Sequence, residues 1–561
     1  VRGKIRRYER FVKDLFFFFP DYNRDVWKFR HRKPVKHSLL TLHQPIFLYA
    51  CEQDKANAFG NNMENNIKLN TPDYEMQPLV APSGFREYDA RWLWGSQLNA
   101  RGVILLGHAI GNMACEKHGA GCGVVVGHDY RSYSSEVKHA LVIGLMAAGC
   151  HVHDIGLCVS PMAYFAQFEL DVPAVAMVTA SHNENGWTGI KMGIDRPLTF
   201  GPEEMSLLKT RVLSGDIKDG AGGQYTYHQG MREQYIADAA KGGAMKRPLR
   251  VVVGCRNGTA GLVAPDALRA IGCTVIEQDC TLDYTFPNGN PNPEDLSMLH
   301  ALADAVRAHS ADIGIGFDGD GDRVGVVDHQ GHEIFADKMG VLLARDLAAI
   351  HPGAIFVADV KSTGLYHTDP VLKSLNARTD YWITGHSYIK RRSNQIGALA
   401  GFEKSGHFFF GAPYGRGYDD ALVSAIAVCR MLDRKAGQTL KDIYDTLPTT
   451  WLSPTMQPEC ADEVKYAVVD RLRAKIESMH KGEIPLKGHK VVDINTVNGV
   501  RFMVADGSWG LVRASSNKPV LSIVVESPVS ESRMKDMFAF IDETFAAEFP
   551  EIGVYDQKLS L

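Results

Sequence analysis

From Gly123 onward, short apolar runs alternate with longer stretches whose apolar positions recur at helical spacing. Val124-Val125-Val126 gives way to a polar turn and then to the segment from Glu136 to Ala148, where Leu141, Leu145 and Met146 fall near one face. The first reads as a strand and the second as an amphipathic helix. A further strand, Ala174 to Val178, runs into a turn carrying Asn183, Asn185 and Gly186. The pattern restarts at Arg250–Val253, after the Gly/Lys-rich stretch 240–247, and again at Ala354 to Val360, after His351-Pro352-Gly353. After about residue 460 it changes. A helix over 461–479 leads into short strands around Lys490–Val492, Val500–Val504, Leu511-Val512 and Leu521–Val525, and then a helix near 531–546.

Strands alternating with helices imply mainly parallel or mixed sheets with helices over their faces. The expected fold class is α/β, with three related mixed-sheet α/β domains at 81–240, 248–345 and 350–455. A smaller C-terminal α+β domain follows at 460–561. With 561 residues, 45% of them hydrophobic, the chain can fill several cores and is no single small binding module.

Charge separates the first eighty residues from the rest. Residues 1–50 hold twelve Lys/Arg against four Asp/Glu, a local charge of +8 in a chain whose net charge is -4. Their apolar run, Leu15 to Phe19, ends at Pro20, far short of the roughly 18–20 residues that cross a bilayer, and no secretory signal is visible. The chain starts with Val1, and its first Met is Met63. Residues 1–80 are therefore read as an atypical extension, of which 1–62 are expected to be a translated upstream segment. The rival is a basic amphipathic arm. The overall charge balance argues against a protein that coats nucleic acid. Ten cysteines without a CxxC pair, often beside apolar residues, point to reduced buried thiols in a cytoplasmic chain.

Three turns carry the chemistry. Asp318-Gly319-Asp320-Gly321-Asp322-Arg323 lies between the apolar strands Ile313–Phe317 and Val324–Val327. In an extended stretch residues i, i+2 and i+4 share a side, so the three carboxylates converge, while the glycines let the backbone bend. Carboxylates that close repel unless a cation neutralises them, and hard oxygen ligands suit Mg²⁺ bridging to a phosphate. A calcium-loop reading fails because Arg323 and His329 stand where that loop needs Gly and Glu. The second turn, Thr179-Ala180-Ser181-His182-Asn183 with Lys191 beyond it, exposes a hydroxyl between a strand and a polar turn. A serine there needs a base, or must already be phosphorylated beside a metal. A Ser-His-acid hydrolase is the rival, but Gly-x-Ser-x-Gly is absent. In the third turn Glu403, Ser405 and His407 alternate before the strand Phe408–Phe410, and suit the vicinal hydroxyls of a sugar. Arg513-Ala514-Ser515-Ser516-Asn517-Lys518, in the last domain, is a candidate phosphate grip.

Taken together and in order, these motifs resemble the phosphomannomutase/phosphoglucomutase branch of the α-D-phosphohexomutase family, from Phe85-Arg86-Glu87-Tyr88-Asp89 to beyond Arg513–Pro519. The resemblance implies four domains around a central cleft, holding phosphoserine, magnesium, sugar-recognition and distal phosphate loops in that order. Carried over by position, Ser181 is the phosphorylated serine. With its phosphate, Asp318, Asp320 and Asp322 complete the metal site. Arg323, Lys191, Tyr88 and Arg91 lie beside it, and His386 is a candidate for proton transfer. Lys361, Glu403, Ser405, His407, Arg513, Ser515 and Asn517 contact substrate. Glu184, Thr188, Gly289, Asn517 and Lys518 depart from the usual pattern, and none touches the aspartates. The implied reaction interconverts mannose or glucose 6-phosphate and 1-phosphate through a hexose 1,6-bisphosphate. The alternatives are phosphoglucosamine mutase and an inactive binding protein on the same fold. Expected partners are phosphorylated hexoses, with no nucleic acid or membrane, and the chain is expected to be a monomer or weak dimer.

Overall fold

The structure is a computed structural model, and it describes Lys68, Leu69 and residues 71–516 and 518–560. The readings made on residues 1–62, on the apolar run at 15–19 and on Asn517 lie outside the described residues. The strands form four sheets. The first contains β1 (Ala90–Leu93), β2 (Gly123–His128), β3 (His151–Leu157), β4 (Ala174–Val178), β5 (Trp187–Gly193) and β6 (Gln224–Tyr227), in the order β1-β5-β4-β2-β3-β6. The second contains β7 (Arg250–Gly254), β8 (Thr274–Gln278), β9 (Ile313–Phe317), β10 (Val324–Asp328) and β11 (Glu333–Ile334), in the order β11-β10-β9-β7-β8. The third contains β12 (Ile355–Asp359), β13 (Arg378–Trp382), β14 (Ala400–Phe402) and β15 (Phe408–Phe410), in the order β13-β12-β14-β15.

All three sheets are mixed. Their central pairs β2/β4, β7/β9 and β12/β14 run parallel, and each adds an antiparallel neighbour, β4/β5, β9/β10 and β14/β15. The fourth sheet contains β16 (Trp451–Leu452), β17 (Val491–Asn495), β18 (Val500–Val504), β19 (Trp509–Ala514) and β20 (Leu521–Ser527). It has the order β16-β20-β19-β18-β17 and is antiparallel throughout. The chain thus enters this sheet at Trp451, before the boundary at 455–460 expected from the sequence. A two-residue strand has no periodicity to announce it, and pairing with β20, about 75 residues later, is what makes it one.

The continuous apolar runs follow from helices on both sheet faces. Along β4 every residue is buried: Ala174, Ala176 and Val178 enter one core, and Val175 and Met177 the other. That second core runs on through the strands of the second and third sheets and reaches Trp509, Leu511 and Val524 of the fourth. The fourth sheet also closes a core of its own under the helices Lys465–Lys481 and Glu531–Glu548. It is tied to the third by buried polar groups. Glu526 accepts from Lys338 (3.0 Å), Thr363 (2.7 Å), the Gly364 amide and the Trp509 indole (both 2.7 Å). Burial alone would raise the Glu526 pKa, but Lys338 and these donors bring it to about 2. Arg501 donates to the Val360 and Ser362 carbonyls and lies over the rings of Trp509 and Tyr381.

The described cysteines are free thiols, and all but Cys115 are buried. Among the described residues no helix is long and apolar enough to cross a membrane.

One buried carboxyl has a testable cost. Asp420 caps the helix Ala421–Arg434, accepting from the Val423 amide and the Tyr235 hydroxyl, both at 2.9 Å. Burial, with Asp419 beside it, pushes its pKa up to about 7 from an ordinary 3.8. The native state therefore holds this proton more tightly than the unfolded chain, and stability falls as pH rises through that window. Asp420→Asn keeps the capping oxygen and removes the charge. Its melting temperature should exceed that of the parent at pH 8, with the difference shrinking as pH falls and closing only near the unfolded-state value of 3.8. A pH-independent difference in thermal unfolding would contradict this.

Candidate active site

The acidic turn leaves the carboxyl end of β9 and returns as β10, at the strand ends where open α/β sheets place their ligands. Residues 318–322 form a tight turn rather than the extended stretch expected from their alternation. Asp318 folds it, its Oδ1 accepting from the amides of Asp322 (3.0 Å) and Arg323 (3.1 Å). Gly321 has φ +75°, and a Cβ on Gly319 would stand 2.3 Å from the Ser181 carbonyl oxygen. The two glycines thus permit, respectively, the bend and the approach of the serine loop. All three aspartates are fully buried, and one oxygen from each lies within 4.8 Å of the others.

Ser181 follows β4 in the left-handed region, φ 51°, an unfavourable conformation for a non-glycine residue. Its Oγ donates to Asp318 Oδ2 at 2.9 Å and lies 3.3 Å from His182 Nδ1. A buried clamp holds the loop. Arg131, ion-paired with Asp129, donates to the carbonyls of Ser181 (3.0 Å) and Asn183 (2.7 Å), and Asp129 accepts from the Ala180 amide. Lys191, on β5, reaches across to Asp320 Oδ2 (2.8 Å) and also pairs with Asp322. Ser160 Oγ donates to the same Asp320 oxygen at 2.6 Å, and its amide to the Asp320 carbonyl at 2.8 Å.

So many buried charges shift one another. Burial and the like charges of Asp322 and Asp320 push Asp318 up to about 7. Burial would also discharge Lys191, yet Asp320 and Asp322 outweigh it and hold the ammonium well above its ordinary range. Asp322 sits well below the carboxylate range: burial opposes this, and Lys191 and His407 prevail. Asp320 Oδ1 is buried without a hydrogen-bond partner, and Asp322 Oδ1 has only the His407 imidazole near it, at 3.3 Å. An orphaned hard oxygen in a cluster of three carboxylates fits a small divalent cation such as Mg²⁺.

The third-sheet turn docks directly on this cluster. Gly406 accepts from the Val324 amide at 3.1 Å, and His407 Nε2 lies 3.3 Å from Asp322 Oδ1. Burial would lower the His407 pKa, but the Asp322 and Glu403 charges raise it to about 9. His407 therefore braces the acidic turn. Ser405 bonds His407 Nδ1 at 2.9 Å, and Glu403 keeps a buried, unpartnered Oε2. Here too a turn, with Gly406 donating to the Glu403 carbonyl, replaces the expected strand alternation.

His386 opens the helix His386–Ile396, its Nε2 lying 3.1 Å from Asp89 Oδ1 and its Nδ1 3.7 Å from Asp419. Tyr88 packs edge-on against its ring, and Arg91 pairs with Asp89 and donates to the Thr179 carbonyl. Burial would raise the Asp89 carboxyl, but His386 and Arg91 hold it far below the ordinary range. Arg323 turns inward, Nε to Asp318 (3.2 Å) and Nη1 to Glu294 (3.0 Å), leaving Nη2 buried and unpartnered.

The remaining predicted residues stand apart from the acidic turn. Lys361 follows β12, half-buried and near Lys404. Arg513, one residue before the end of β19, has a buried, unpartnered Nε, and the Ser515 carbonyl accepts from Lys465 at 2.6 Å. Sequence reasoning missed Asp89, Asp129, Arg131, Ser160 and Asp419. For Asp129 and Arg131 a signal existed, two charges in the turn just after an apolar strand. Ser160 had none.

Residues 82–218, 233–331 and 335–451 match alpha/beta/alpha domains I, II and III of phosphoglucomutase/phosphomannomutase, and 458–544 match its C-terminal domain. A phosphomannomutase/phosphoglucomutase of Pseudomonas aeruginosa is 34% identical over 463 residues, 82% of this chain and 96% of the relative. A phosphoglucomutase of Neisseria meningitidis is 30% identical over 472 residues, 83% and 98%. The crystal structure of a phosphoglucomutase/phosphomannomutase family protein from Burkholderia thailandensis superposes with a TM-score of 0.76 at 29% identity, covering 85% of this chain and 99% of that one. With four consecutive domain matches and a serine hydrogen-bonded to a buried aspartate triad, the chain belongs to the phosphoglucomutase/phosphomannomutase family.

Proposed function

We propose that the protein is a phosphohexomutase that interconverts mannose or glucose 6-phosphate and 1-phosphate, with Ser181 as the phosphoryl carrier. The observation that carries this reading is the 2.9 Å hydrogen bond between Ser181 Oγ and Asp318, with the serine set on strained backbone against a fully buried carboxylate cluster. The cycle starts from phosphoserine 181. Its phosphoryl group passes to the free 1- or 6-hydroxyl of the bound sugar, giving a hexose 1,6-bisphosphate. The sugar turns end for end, and the other phosphate returns to Ser181 Oγ.

Asp318, Asp320 and Asp322 would hold Mg²⁺, which when bound offsets negative charge on the transferring group. The chain supplies the rest. Lys191 adds positive charge at the acidic turn, and Arg131 and Asp129 fix the serine loop so that the nucleophile is positioned before the sugar arrives. Arg323 keeps Asp318 in place and has one free donor, Nη2. Glu403, Ser405 and Lys361 take ring hydroxyls, and Arg513, Ser515 and Asn517 take the phosphate that is not reacting.

Proton transfer falls to His386. Lys191 is held strongly cationic by two carboxylates and is a poor acceptor. The His386 imidazole is oriented by Asp89, the arrangement in which a carboxylate stabilises the imidazolium that forms.

Ser181→Ala should lose at least about 10²-fold in mutase rate in both directions, measured by coupled assay with a trace of the bisphosphate; a parental rate would end the reading. Asp320→Asn should weaken Mg²⁺ binding by about tenfold in calorimetric titration, and unchanged affinity would remove Asp320 from the ligand set. The acid limb of the kcat/KM profile should flatten in His386→Asn and persist, at reduced height, in Lys191→Ala. A limb that survives in His386→Asn assigns the proton to another group.

A further inference from the structure

A second cluster of ligating side chains lies away from the acidic turn, at the edge of the first sheet. The edge strand β6 pairs in parallel with β3, His151 opposite Gln224 and His153 opposite Thr226. Residues two apart on a strand share a face, so His151 and His153 project together, as do Thr226 and His228 at the end of β6. The three imidazoles form a row. The ring centroids of His151 and His153 are 4.1 Å apart and those of His153 and His228 5.1 Å, the latter pair stacked. His153 Nδ1 and His228 Nε2 approach to 3.0 Å, and His151 Nε2 bonds the Thr226 hydroxyl at 2.8 Å. All three rings are half-buried and open to an ion from solvent. The opposite face of β3 is committed elsewhere: Val152 is in the core, and Asp154 is buried in a 2.5 Å ion pair with Lys138.

Nothing in the phosphoryl-transfer chemistry uses this row. We infer that His153 and His228 form a two-histidine binding site for a divalent transition metal of the Zn²⁺ or Ni²⁺ class, separate from the acidic centre. Two imidazole nitrogens on a tetrahedral ion with bonds of about 2.0–2.1 Å stand roughly 3.3 Å apart, so the observed pair needs to open by only a few tenths of an ångström. His151 stays on the Thr226 hydroxyl, and water fills the remaining positions of the ion. Donor chemistry separates the two sites: nitrogen ligands select Zn²⁺, Ni²⁺ or Cu²⁺, and the all-oxygen turn selects Mg²⁺. An ion here clips the edge strand β6 to β3.

The test uses the full chain, stripped with a chelator and then kept in millimolar Mg²⁺ to fill the acidic centre, with Zn²⁺ titrated by calorimetry. The parent and Asp320→Asn should show one Zn²⁺ site each, and His228→Gln and His153→Gln should bind at least about tenfold more weakly. Co²⁺ should give tetrahedral visible absorption in the parent and lose it in both histidine variants. His228→Gln alters only the sheet edge, so it remains informative if His153→Gln fails to fold, which circular dichroism reads. A Zn²⁺ isotherm unchanged in His228→Gln, or loss of the site in Asp320→Asn alone, overturns the inference.

Discussion

The structure turns on three carboxylates held out of water within 4.8 Å of one another. Asp318, Asp320 and Asp322 cannot remain together as anions in a buried site unless positive charge and hydrogen-bond donors come to them. Those partners come from different parts of the chain. Lys191, Ser160 and Ser181 belong to the first sheet's region, Arg323 to the second and His407 to the third. Electrostatic demand at one turn thus gathers the ends of three sheets. The strain at Ser181 is sustained by the same packing, since Gly319 lets its carbonyl approach and Arg131 fixes it from the other side.

This arrangement separates what is rigid from what is left open. The serine, the aspartates, Lys191 and His407 are interlocked, whereas Glu403, Arg323 and Arg513 each keep a buried polar atom without a partner. Buried groups left unsatisfied are costly, and a bound ligand is one partner able to complete their hydrogen bonding. Those on Glu403 and Arg513 lie at the loops assigned to the sugar ring and its distal phosphate. The fourth sheet meets the third through Glu526 and Arg501, a small set of strong polar contacts beside an apolar patch.

Much of the fold was legible because its strands are buried on both faces and read as short apolar runs. Ile313–Phe317, Ala174–Val178 and Val500–Val504 coincide with their expected limits. β16 was not legible, because two residues carry no period, and only the distant β20 gives them a partner. The acidic and sugar turns were found for an incomplete reason. Alternation suggested shared faces, whereas bonds from the Asp322 and Arg323 amides to Asp318, and from the Gly406 amide to the Glu403 carbonyl, do the converging.

The sequence by itself determined the candidate site's local parts, since a hydroxyl, three carboxylates and the glycines between them lie within two short segments, where spacing and residue type point to the chemistry. Tertiary structure alone decided which groups serve them. His407 is brought against Asp322, Asp89 becomes the partner of His386 almost 300 residues away, and Ser160, an unremarkable residue in the sequence, orients Asp320. The physical reason is that a side chain's role depends on the charge and solvent around it once buried, and those are supplied by elements far along the chain.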